Sequence, residues 1–267
     1  MPQLALILCS VFVFFLLRLD HKQAPESSKA LWIPTAWALV TWSKALAVWF
    51  QYGVEKGEDA GSPLDRTFLI VLMCLGLLII LKRRVNWAGI LRENRFAAVI
   101  FGYMLISILW SPQPEISFKR FIREMVALTM ILIIVSEKDP RSAIKTVLRR
   151  AIYFFMPFSL VLIKFFPILG RRYNRWSGEL QWIGVSGQKN GMAFLCVFSA
   201  FFLILGFVER RKGSDHAVSK YQTYVEILLL GLSFYLLAGP KRSLTYSATS
   251  TICLVIGLIT MTILLFM

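Results

Sequence analysis

Histidine is almost missing from this 267-residue chain: there are two, His21 and His216, both in polar linkers. Cysteine is scarce as well, and the four present (Cys9, Cys74, Cys196 and Cys253) lack CxxC spacing and all fall inside apolar runs. A thiol in that setting is a small core or lipid-facing residue, so neither a metal site nor any other cofactor is expected. No serine stands at a suitable spacing from a histidine, and no paired carboxylates flank a pocket, so no nucleophile–base pair is visible. Acidic residues number fifteen against thirty basic ones. There is no hydrophilic stretch long enough for a soluble domain, no low-complexity segment and no convincing internal repeat. These absences exclude most soluble enzyme classes before any motif is considered.

What is present is apolar sequence, 57% of all residues. It comes in runs of roughly 17–25 residues, the length of helix that spans about 30 Å of hydrocarbon. Nine candidate spans follow, at 3–17, 31–50, 66–82, 96–110, 118–136, 149–168, 189–208, 221–238 and 245–266. The chain therefore reads as an all-α polytopic membrane protein of about nine transmembrane helices, a single domain over 1–267. Helices are required because lipid offers backbone groups no partners. The first run, Leu4 to Leu17, lacks a basic start and a small-residue cleavage site, so it reads as a short span and not as a signal peptide.

The basic excess is first a topology signal and not a nucleic-acid one, because cationic loops are retained in the cytoplasm. The connectors 18–30, 82–95, 137–150 and 209–220 hold seventeen cations and the alternate set eleven. This puts the first residue outside and the last inside. The acidic connector Glu55 to Asp59 suits the outer side. Nine of the eleven outer cations nevertheless gather at span ends. Arg120 and Arg123 are three residues apart beside Lys119. Arg171, Arg172, Arg175 and Lys189 surround one loop. Lys241 and Arg242 follow a Gly-Pro break. Cations that oppose the topology signal point to an anion at that surface, since guanidinium matches phosphate oxygens. The bland alternative is contact with lipid headgroups or with Glu115, Glu124 and Glu179.

The densest cluster lies in GRRYNR, Gly170 to Arg175, followed by WSGELQWIGVSGQKNG, Trp176 to Gly191. Arg171 and Arg175 share a face if that segment is helical. Gly178, Gly184, Gly187 and Gly191 permit tight turns and close backbone approach. A helix is expected to start near Gln188-Lys189-Asn190, and its free amides and partial positive charge make an anion site to which Lys189 adds a full charge. Trp176 and Trp182 suit interfacial anchoring or a stacking surface for a sugar ring. With no base in view, the chemistry that fits is displacement of an already good leaving group such as a lipid pyrophosphate, with cations stabilising the departing charge. Glu179 is the sole carboxylate inside the cluster and the nearest candidate base.

These residues resemble the O-antigen ligase and polysaccharide polymerase family, where a Trp/Gly-rich outer loop leads into a His-Lys-Asn triplet opening a transmembrane helix. Here the triplet is Gln188-Lys189-Asn190, with Gln in the place of His. LISILWSPQPEISFKRFIRE, Leu105 to Glu124, is similar to the family's S-x-x-W-S, short loop and basic helix. ALWIPTAWALVTWSKALAVW, Ala30 to Trp49, resembles the N-terminal block of the exopolysaccharide-polymerase branch, and AGPKRSLTYSATS, Ala238 to Ser250, a Ser-rich helix start. The resemblance implies a GT-C-like glycosyltransferase, independent of metal, in the bacterial inner membrane. It would transfer glycan from undecaprenyl pyrophosphate at the periplasmic face, with membrane lipids and other polysaccharide-assembly proteins as further partners. It implies catalytic roles for Arg171, Arg172 and Arg175, pyrophosphate binding by Lys189, Asn190, Arg120 and Arg123, and sugar stacking by Trp176 and Trp182. The family also carries a large periplasmic loop later in the chain. That loop is missing before Met267, so the sequence reads as the N-terminal two-thirds of such a protein.

Three charges fall within or near spans: Lys44, Lys164 and Glu226. Each reads as structural before functional, with Lys44 and Lys164 close enough to span ends to snorkel. A transporter of anionic lipid-linked sugars would need cations along a path through the bilayer, and these cluster at its edge. A non-catalytic or degenerate membrane component is the other alternative.

Overall fold

A computed structural model describes residues 1–23, 27–50, 62–83, 85, 87–211, 220–240 and 247–266. In chain order the elements are α1 (Pro2–Gln23), a 3-10 turn (Lys29–Leu31), α2 (Trp32–Thr41), α3 (Leu46–Phe50), α4 (Pro63–Lys82), α5 (Trp87–Glu93) and α6 (Arg95–Ser107). A second 3-10 turn (Ile108–Trp110) leads to α7 (Pro114–Val135), α8 (Pro140–Phe165) and α9 (Pro167–Gly170). Then come two strands, β1 (Arg171–Tyr173) and β2 (Leu180–Trp182), and finally α10 (Lys189–Arg211), α11 (Lys220–Ala238) and α12 (Ala248–Phe266). Lys56, the acidic connector Glu55 to Asp59, His216, Lys241 and Arg242 lie outside the described residues.

The protein is a helical membrane protein. Five described helices are long and apolar enough to cross a bilayer: Pro2–His21, Pro63–Lys82, Pro140–Phe165, Lys189–Arg211 and Tyr221–Ala238. At about 1.5 Å per residue these reach at least ~27 Å. Arg95–Trp110 and Ala248–Ile263 are apolar but shorter. Several helices begin on proline, which loses no bond in a first turn: Pro63, Pro114 and Pro140. Ser62 Oγ accepts the Leu64 amide at the start of α4, and Asp139 Oδ1 accepts those of Arg141 and Ser142 at the start of α8.

One expected span is not continuous. The run 31–50 breaks after Thr41, and helix resumes at Leu46, whose amide is taken by Asp65 Oδ1 at 2.7 Å. In the gap, the Lys44 backbone amide donates to the Val185 carbonyl at 3.0 Å, a distant partner in place of the helical ladder.

The chain divides into two compact units, residues 1–26, 41–44 and 148–267 forming one and 27–40 and 45–147 the other. In the second unit α4 packs on α7 around Leu72, Ile80, Val126, Met130 and Ile133. Gly76 allows the approach, since a Cβ there would stand 2.7 Å from Thr129. Arg83 closes the end of α4, donating to the Ile133 carbonyl, Ser136 Oγ, Ser28 Oγ and Glu137, the last at 2.5 Å. In the first unit α10 packs against α11 and α12, and the Phe201 ring lies on Gly257. The buried Asp20, Arg150 and Glu226 are ion-paired, as a low-dielectric interior demands. Asp20, fully enclosed, meets Arg149 at 2.9 Å and Arg150 at 2.7 Å, and Glu226 meets Arg210 and Gln222.

Candidate functional site: a cationic hairpin at a helix start

The segment GRRYNR is not helical beyond Gly170, the last residue of α9. It forms one strand of an antiparallel hairpin, with Arg171 opposite Trp182, Arg172 opposite Gln181 and Tyr173 opposite Leu180. Its neck is set by Gly170, whose carbonyl accepts the amides of both Ile183 (2.9 Å) and Gly184 (3.0 Å). A Cβ on Gly170 would lie 2.3 Å from the Leu162 carbonyl, so only glycine lets the chain pass this close to α8. Asn174 organises the tip. Its amide donates to the Glu179 carbonyl, its carbonyl accepts Gly178 N–H, and its Oδ1 accepts the Trp176 amide at 2.9 Å. Gly178 takes a φ of 67° to close the loop.

Because strand side chains alternate in direction, the hairpin sorts the adjacent arginines. Arg172 and its partner Gln181 both line a cavity of about 280 Å³. Arg171 instead donates from Nε to the Ile163 carbonyl at 2.6 Å, satisfying one of the open carbonyls in the last turn of α8. Trp182, opposite Arg171, is 7% exposed. Its ring centre is 5.5 Å from that of Tyr235, and the Lys164 ammonium sits 5.6 Å from both rings. Trp176 lines the cavity and is 97% exposed, leaving its faces open.

The cavity also takes in Arg175, Tyr173 and Asn174 from the hairpin and Gln188, Lys189 and Asn190 from the start of α10. The expected helix start is thus realised, with Lys189 as its first residue. The first ladder bond there runs from the Met192 amide to the Gln188 carbonyl, so the positive end of the α10 dipole lies at the cavity. Gly191 brings this turn against the preceding loop, since a Cβ would lie 2.3 Å from Ser186 Oγ. Among the described residues Arg172 and Arg175 form no ion pair, and the cavity lining has three cations and no carboxylate. Glu179 is exposed near the tip, outside that lining. The arrangement can hold a multiply charged anion beside a hydroxyl-rich group, since the carboxamides of Asn174, Gln181, Gln188 and Asn190 both donate and accept.

Of the sequence-predicted residues, Arg172, Arg175, Trp176, Lys189 and Asn190 come together in this one cavity. Arg171 and Trp182 belong to the opposite side of the hairpin. Arg120 and Arg123 are exposed on α7, in the other unit, where Arg123 Nε is 3.9 Å from Glu124. Gln181, Asn174 and Tyr173 are additions that sequence reasoning missed. An Asn-x-x-x-Gly tip closely followed by the alternating triplet Leu180-Gln181-Trp182 was the signal that could have found them. Among the described residues no group of His, Cys, Asp or Glu could hold a metal ion. No family model, curated protein or solved structure matches this chain.

Proposed function

We propose that the cavity binds the pyrophosphate of a polyprenyl-linked glycan, and that the protein is a membrane glycosyltransferase of surface-polysaccharide assembly, of the polymerase or O-antigen ligase type. The observation that carries this is the convergence of Arg172, Arg175 and Lys189 on a helix start, with no carboxylate in the lining. A pyrophosphate diester brings two charges, and the site offers three full positive charges and the partial charge of α10. In the reaction the bond between the sugar's anomeric carbon and the pyrophosphate oxygen breaks. The acceptor hydroxyl forms the new bond and loses its proton to water, and the lipid pyrophosphate leaves with the electron pair. Cations placed where that charge grows need no metal, and each such group contributes on the order of 10²–10³ in rate. Trp176 and the carboxamides stand where the first sugar would lie. Lys189-Asn190, which resemble the last two residues of the family's helix-opening triplet with Gln188 in the place of its His, support the same reading. The periplasmic face of a bacterial inner membrane is where such a donor would be presented.

The test is glycan production in cells whose own copy of the gene is replaced by Arg172→Ala or Arg175→Ala. The expected outcome is a loss of product of about 100-fold, with the variant protein at normal level in the membrane. Wild-type glycan profiles from both variants would sink the proposal.

A further inference from the structure

Lys44 is outside the cavity, yet it holds the segment that forms it. It lies in the gap between α2 and α3 and is 7% exposed. Its ammonium donates to the Gly184 carbonyl at 2.8 Å and to the Leu169 carbonyl, while its backbone amide takes the Val185 carbonyl at 3.0 Å. Leu169 precedes the hairpin by two residues, and Gly184 follows it by two. One cation therefore bridges the incoming and outgoing chains at the neck.

We infer that Lys44 is a positioning residue that sets the hairpin, and with it Arg172 and Arg175, against the start of α10. This rests on the reading of the cavity as an anion site. Arg171 is a second charged donor there, from Nε to the Ile163 carbonyl of α8 at 2.6 Å, but it ties down only the incoming chain. The bonds that hold the outgoing chain include neutral ones: the amides of Ile183 and Gly184 on the Gly170 carbonyl, and the Val185 amide on Ser159 Oγ at 3.3 Å. Bonds from a charged donor are about twice as strong as these. Lysine suits the task because its compact ammonium can sit between two carbonyls and donate to both. The helix break is part of the device. A continuous helix through 42–45 would occupy the Lys44 amide in its own ladder and remove the third bond to the neck. The oddity of a lysine in the middle of an apolar run, and the oddity of a run that fails to stay helical, have one cause.

The experiment uses the purified full chain in lipid nanodiscs, with inorganic pyrophosphate as the probe. Two readouts are taken: affinity for pyrophosphate, and amide hydrogen exchange along the chain. For Lys44→Met, exchange is expected to rise over residues 169–186 and stay unchanged in α10 and α11, while affinity falls by about tenfold or more. Lys44→Gln, which can still donate to one carbonyl, should fall between wild type and Lys44→Met, and it carries the same test if Lys44→Met does not accumulate. Unchanged exchange at the neck, or a rise spread over the whole chain, overturns the inference. So does local loosening with wild-type affinity in a protein whose Arg172→Ala variant binds weakly. If Arg172→Ala and Arg175→Ala bind pyrophosphate as wild type does, the anion-site reading fails instead, and the exchange data alone then decide whether Lys44 holds the hairpin.

Discussion

Single residues of one type do different work here, and composition alone could not assign it. Arg171 caps a helix, Arg172 lines a cavity, Arg83 ties four oxygens together, and Arg149 and Arg150 share one aspartate. In the sequence all five are simply cations near span ends. The cluster at 170–189 was legible as a gathering of cations because its charges oppose the topology signal, and three of them do line one cavity. The split between Arg171 and Arg172 was not, because it depends on a strand where helix was an equal option. Asp20 illustrates the energetics. Its side chain is fully enclosed between two guanidinium groups, so Asp20→Asn removes the charge that meets the buried Arg150 and the partly buried Arg149. A loss of about 3–5 kcal/mol is expected, seen as a lower midpoint in thermal unfolding of the detergent-solubilised protein.

At the scale of elements, the apolar runs announced their helices because a span needs only length and continuous hydrophobicity, both of which are local. The break in 31–50 was hidden because its cause is remote: the carbonyls that take Lys44 lie 125 and 140 residues further along the chain. The hairpin was hidden for a similar reason, since its neck is fixed by packing on α8. Gly184 shows how strictly. Its φ is +51°, and an added Cβ would stand 2.8 Å from both Ser159 and the Met192 sulfur. Gly184→Ala should therefore weaken pyrophosphate binding by about tenfold or more, through roughly 1–3 kcal/mol of backbone strain together with the clash. Gly187→Ala, with open space around it, should bind as wild type does. Equal affinities for the two variants would show that the neck does not govern the cavity.

For the whole molecule, class was legible and arrangement was not. Hydropathy and helix length identify a membrane protein, whereas the division into two compact units follows from tertiary contacts that no local pattern encodes. Orientation rests on a cation ratio of seventeen to eleven, and it makes a definite prediction. In a background where the exposed Cys74 and Cys253 are replaced by alanine, Ser177→Cys in the hairpin tip should react with a membrane-impermeant maleimide in intact spheroplasts. Lys138→Cys lies near the start of α8, which spans about 39 Å at 26 residues. It should react only after permeabilisation. The reverse pattern would place the hairpin in the cytoplasm, out of reach of a periplasmic donor.

The pairing of two adjacent arginines with a period-two strand also bears on how the hairpin tolerates error. A one-residue slip in register exchanges the two faces of a strand. In most hairpins that would put an apolar group where a charged one belongs. Here a slip would turn Arg171 toward the cavity and Arg172 toward α8, so a guanidinium would still face the anion. The doublet keeps a guanidinium on both faces of the strand after a slip, one toward the cavity and one toward the end of α8 that Arg171 now caps.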